Sequence, residues 1–126
     1  MIAVVDYCKG NLKSVERGLR AVGGDARITD NPDEIRAADA VVLPGVGAFA
    51  DASAHMVESG QMDAVRDAIA AGKPFLGICL GEHLLFASGV EGAAGPGVDG
   101  NPGDADLPVG LGLIDGTVVR MPATGA

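Results

Sequence analysis

The chain has 126 residues, 48% hydrophobic and 21% charged, with mean hydropathy +0.29: enough apolar content to bury one core, and too much for a disordered segment. Seventeen Asp and Glu against nine Lys and Arg leave a net charge of −8 and a pI near 4.4, which repels phosphate backbones and anionic lipid and argues against nucleic-acid and membrane-surface roles. No apolar run approaches the ~20 residues of a bilayer span and no secretory-signal pattern opens the chain, so a cytoplasmic location is expected.

Ile2-Ala3-Val4-Val5 is short, apolar and β-branched, which predicts a buried strand feeding a turn over Asp6 to Asn11. Leu12, Val15, Leu19 and Val22 then recur at helical spacing, with Lys13, Glu16, Arg17 and Arg20 opposite, until Gly23-Gly24 stops the pattern. Ala26 to Thr29 reads as a second strand, Asn31-Pro32 as a turn and Asp33 to Ala38 as a short helix. Ala40 to Leu43 is a third strand, broken at Pro44-Gly45. Phe49 to Ala71 is helical with an interruption near Gly60 and a stop at Gly72. Phe75 to Ile78 is a fourth strand, and Leu80 to Ser88 reads as a helix. Residues 89–108, rich in Gly, Ala, Pro and Asp, are expected to form a flexible insertion, with order resuming at Leu111 to Ile114 and a strand at Thr117 to Met121.

Strands alternating with helices at this spacing predict an α/β fold: a three-layer sandwich with a mainly parallel sheet, forming a single domain over 1–126. Because its last strand pattern begins just before the sequence ends, the domain looks incomplete. Ligands in such sheets sit beyond the carboxyl ends of the strands, which singles out Asp6 to Asn11, Pro44 to Gly47 and Cys79 to His83.

Gly77-Ile78-Cys79-Leu80-Gly81 has the form G-x-C-x-G between a predicted strand and helix, the thiol version of a nucleophile elbow. The sharp turn strains the central residue and exposes its sulfur at a helix N-terminus, while glycines two places away remove side chains that would strike the neighbouring backbone. The bland reading of Cys79 is a buried apolar thiol; the flanking glycines weigh against it. Pro44-Gly45-Val46-Gly47 offers bare backbone able to aim N–H groups at an oxyanion, with Leu80 N–H as a second donor; taken alone it reads as a plain turn. Cys8 and Cys79 are too few and too far apart for a disulfide scaffold or zinc cluster, and neither metal nor cofactor is expected.

Asp6-Tyr7 with Gly10 to Ser14, Leu43 to Phe49, and Gly77 to Gly81 with Leu84-Leu85-Phe86 resemble the class I glutamine amidotransferases, whose fold is flavodoxin-like. Within that class the chain is most similar to the glutaminase subunits of imidazole glycerol phosphate synthase, and Gly110 to Ile114 with Gly116 and Val118 to Arg120 fits the same pattern. The resemblance implies hydrolysis of glutamine to glutamate and ammonia, with the ammonia passed to a cyclase subunit in a heterodimer of histidine biosynthesis. It makes Cys79 the nucleophile, and places Gly45, Val46, Gly47 and Leu80 at the oxyanion and Asp6, Tyr7, Gly10 and Asn11 toward the partner.

Three departures stand out. Cys8 replaces the family's usual Gly and Lys9 a hydrophobic residue. Glu82-His83 replaces Met-Gln, so His83 stands where a substrate-contacting glutamine is expected. The family's His base, oriented by a Glu, comes from well beyond residue 126, and the motif assigns that role to neither His55 nor His83. The chain therefore resembles the N-terminal two-thirds of such an enzyme, inactive by itself. Another class I amidotransferase, or a non-catalytic partner-binding or thiol-sensing module, remains an open alternative. The scarcity of Lys and the excess of twelve Asp over five Glu further suggest a salt-adapted surface.

Overall fold

The computed structural model describes residues 1–8, 11–89 and 108–119. The short apolar runs become one parallel sheet. Its strands are Ile2–Val5 (β1), Ala26–Thr29 (β2), Ala40–Leu43 (β3) and Phe75–Gly77 (β4), in the order β2-β1-β3-β4. Ile2 stands opposite both Ala26 and Ala40, and Val41 opposite Phe75. Ala3, Val4, Val5 and Leu43 have no exposure at all, which is why β1 and β3, the two central strands, are apolar without alternation.

The strand order explains the layers. The connection from β1 steps one way through helix Leu12–Ala21 (α1), whereas those from β2 and β3 step the other way through Pro32–Ala37 (α2), Phe49–Ser59 (α3) and Gln61–Ala70 (α4). Right-handed crossovers then place α1 on one face and the other three helices on the opposite one. Leu12, Val15 and Leu19 accordingly pack on Val4, Ala26 and Val42. The larger core, with Tyr7, Ile35, Leu43, Phe49, Met56, Met62 and Val65, fills the other face. Each of its large side chains contributes roughly 1.5–3 kcal/mol of burial.

Caps match the sequence. Asn11 Oδ1 accepts from Ser14 N–H, and Asn31 Oδ1 from Asp33 N–H with Pro32 just inside α2. Gly60, at φ +83°, separates α3 from α4 where the interruption was expected.

The chain after the fourth strand differs from expectation. The helix expected over 80–88 is a single turn, Leu80–His83 (α5), and Phe86–Gly89 is a strand (β5) pairing in parallel with Ile114–Val118 (β6). Backbone N–H groups of Gly110 to Ile114 donate to carbonyls of residues 84–87, so this stretch is held extended by a remote segment instead of continuing the helix. The last strand correspondingly begins at Ile114, earlier than Thr117. Of the expected insertion, Gly89 is the buried end of β5 and donates to Pro108 carbonyl at 3.2 Å; residues 90–107, like the expected strand end at 120–121, lie outside the described residues.

Candidate functional site

The strand order reverses at β1 and β3, the switch point where such sheets leave a crevice for ligands. Three segments meet at that end: the turn after β1, the loop Pro44 to Gly47 after β3, and Cys79 to His83 beyond β4.

Cys79 has φ +53° and ψ −114°, a conformation that L residues occupy only under constraint, and it is exposed. Close packing supplies the constraint. A Cβ at Gly81 would stand 1.6 Å from Leu43 carbonyl oxygen, and one at Gly77 would stand 2.8 Å from Gly81 carbonyl oxygen. Only glycine lets the turn lie this close to the end of β3. The carbonyl of Cys79 accepts from Glu82 N–H at 2.9 Å and from His83 N–H at 3.2 Å, closing the single turn of α5. His83 is exposed at its end, one turn past the thiol. Among the described residues no imidazole is hydrogen-bonded to Cys79.

Val46 and Gly47 are exposed, while Pro44 and Gly45 are buried. The oxyanion donor expected of Leu80 is occupied here: Leu80 N–H donates to Gly45 carbonyl at 3.2 Å. The exposed Val46 and Gly47 N–H groups donate to no described residue.

In the first turn, Tyr7 corrects an expectation. It does not face outward toward a partner but is fully buried, its hydroxyl donating to Pro44 carbonyl. Its aromatic ring has more apolar surface to lose than a turn can leave in water, and burial pushes the phenol well above its ordinary range. Asp6 is half-buried, its carboxylate accepting from Cys8 N–H at 3.1 Å; Asn11 is exposed; Gly10 lies outside the described residues. Cys8 has φ +66°, a left-handed conformation better suited to the Gly that the resemblance led one to expect there.

Gln61 was not singled out by sequence. Fully buried at the start of α4, its Nε2 donates to the carbonyls of Asp6 at 2.7 Å and Asp30 at 3.1 Å, tying together the turns after β1 and β2. A lone Gln at a helix start carries no periodic signal that could have marked it.

A glycine-flanked cysteine turn at positive φ beside a glycine loop on a parallel sheet suggests a class of protein, and comparison with known families shows which. Residues 3–122 match the profile of glutamine amidotransferase class-I, and the chain belongs to that family. It is 47% identical over 121 residues to the imidazole glycerol phosphate synthase subunit HisH of Symbiobacterium thermophilum, covering 96% of this chain and 51% of that protein. It is 45% identical to the HisH subunit of Moorella thermoacetica, with 99% and 61% covered, and 48% identical to that of Nostoc punctiforme, with 96% and 51% covered. The chain thus spans about half the length of the curated relatives it matches. A crystal structure of a glutamine amidotransferase superimposes with TM-score 0.69 at 22% identity, covering 94% of this chain and 56% of that one. A peptidase E protein from Listeria monocytogenes superimposes with TM-score 0.68 at 13% identity, covering 90% and 62%, so both share the fold.

Proposed function

We propose that this chain carries the nucleophile half of a glutaminase that serves imidazole glycerol phosphate synthase. The observation that carries this reading is the exposed Cys79 at positive φ, held between two glycines that packing does not allow to be anything else. In that role the Cys79 sulfur adds to the side-chain amide carbon of glutamine. The C–N bond breaks, ammonia leaves with one added proton, and water hydrolyses the thioester to glutamate. In this reading the Val46 and Gly47 N–H groups donate to the oxyanion, and Leu80 N–H, which now donates to the Gly45 carbonyl, joins them once that carbonyl turns away. In this reading His83, at the end of α5, takes the place of the family's substrate-contacting glutamine.

The departing ammonia needs a proton donor, and neither His55 nor His83 is hydrogen-bonded to the Cys79 thiol. The ammonia goes to a cyclase subunit, to which this reading assigns Asp6, Gly10 and Asn11 as partner-facing residues. That reading places the protein in the cytoplasm, and the acidic composition fits a salt-rich one. A second reading, a partner-binding module without turnover, rests on the lack of any imidazole hydrogen-bonded to Cys79 among the described residues.

Glutamate release from glutamine, assayed for the 126-residue chain alone and with the cyclase subunit, separates them. The chain alone is expected to give little or no turnover. Turnover at ordinary enzyme rates that survives Cys79→Ser overturns the assignment of Cys79. An electrophilic analogue of glutamine is expected to label Cys79 and spare Cys8; equal labelling would remove the substrate-binding claim and leave the partner-binding module.

A further inference from the structure

Tyr7 lies under the loop that faces Cys79. Its hydroxyl donates to Pro44 carbonyl, and a Cβ at Gly45 would stand 1.8 Å from that hydroxyl oxygen and 2.8 Å from the ring carbon bearing it. The next carbonyl along, that of Gly45, accepts Leu80 N–H at 3.2 Å, and Leu80 follows the thiol directly. One phenol therefore fixes the Pro44 carbonyl by a hydrogen bond and packs against Gly45 closely enough to exclude any side chain there, while the Gly45 carbonyl holds Leu80 N–H. The arrangement joins the turn after β1, across the switch point, to the elbow beyond β4.

We propose that Tyr7 is a positioning residue for the Cys79 site: it holds the Pro44–Gly45 peptide in the orientation that keeps the Leu80 N–H occupied. The consequence for catalysis rests on the glutaminase reading, because an occupied N–H cannot serve an oxyanion; the positioning itself does not. Without the hydroxyl, Pro44 carbonyl is left buried without a donor, and the glycine next to it offers no side chain to resist rotation. The Gly45 carbonyl then leaves Leu80. Because the ring of Tyr7 remains in the core in a Tyr7→Phe variant, the packing of Phe49 and Leu43 around it should stay as it is.

Amide hydrogen exchange on the full 126-residue chain, unsubstituted and Tyr7→Phe, tests this. The expected result is a loss of protection at Leu80 about tenfold larger than at Val4 and Val42 in the central strands. A loss at Leu80 no larger than at those amides overturns the proposal, since a residue that only fills space lowers all of them together. In the unsubstituted chain, whose single tyrosine is unambiguous, NMR should find a slowly exchanging hydroxyl proton close to the Gly45 Hα atoms. Its absence overturns the proposal whether or not the variant folds. Neither measurement involves glutamine, so both decide the role of Tyr7 independently of the assays on Cys79.

Discussion

At the scale of single residues, the site is held by groups whose conformations or burial carry a cost. Tyr7 is the sole tyrosine, so absorbance near 295 nm reports its ionisation alone. Burial raises the phenol's folded pKa above its unfolded value of 10.0, so stability is fully present below about pH 10 and falls as pH rises beyond it. Spectrophotometric titration is expected to show no ordinary tyrosine step and a rise only with alkaline unfolding; a reversible step near pH 10 in folded protein would contradict the burial. Cys8 offers a second case. At φ +66° a β-branched residue clashes with its own backbone, so Cys8→Val should lose about 1–2 kcal/mol in urea unfolding. Cys8→Gly should be neutral or better, because relieved strain of ~1 kcal/mol offsets the added chain entropy of glycine. A valine variant as stable as the parent would mean that the turn relaxes freely.

At the scale of elements, the elbow depends on contact between backbones. Gly81→Ala places a methyl 1.6 Å from Leu43 carbonyl oxygen, where no rotamer change can help. We expect a loss of at least ~3 kcal/mol, or a shift of β4 against β3 that removes the selective reactivity of Cys79. Thermal melts and iodoacetamide labelling check this, and an alanine variant with unchanged melt and labelling would refute the close approach. Four of the strands and the glycine-flanked thiol were legible because short apolar β-branched runs and G-x-C-x-G are local signals. The stretch after the elbow was not. Leu84, Leu85 and Phe86 fit a helical pattern, and what ends α5 is remote: Leu111 N–H reaches Leu84 carbonyl at 2.6 Å, and Arg66 on α4 donates to the carbonyls of Gly110 at 2.7 Å and Leu111 at 3.0 Å. Ser53 adds a hydrogen bond to Val109 carbonyl at 2.6 Å. Pairing that depends on side chains more than forty residues away leaves no trace in a local window.

At the scale of the whole molecule, alternation of strands and helices implied a parallel sheet but not its order, because each crossover could have stepped to either side. The turn after β1 shows the cost: Tyr7, which the resemblance placed toward a partner, is buried against the Pro44 carbonyl beyond β3, and Gln61 holds the Asp6 carbonyl. Charge acts at this scale too, and here two effects oppose each other. Exposed ion pairs such as Arg36–Asp67 at 2.8 Å and the N-terminus with Asp39 at 2.5 Å weaken as salt rises, but pairs of this kind contribute only ~0.2–1 kcal/mol each. Net self-repulsion from a charge of −8 on 126 residues is also screened, as the Debye length falls from ~10 Å at 0.1 M to ~3 Å at 1 M. Seventeen acidic side chains against nine basic ones leave a surplus of eight negative charges however the ions pair, so relief of repulsion should win. Circular dichroism melts across a potassium chloride series are expected to give midpoints that rise from low to molar salt. A flat or falling midpoint would mean that the few ion pairs outweigh the surplus charge, and the acidic composition would then carry no adaptation to salt.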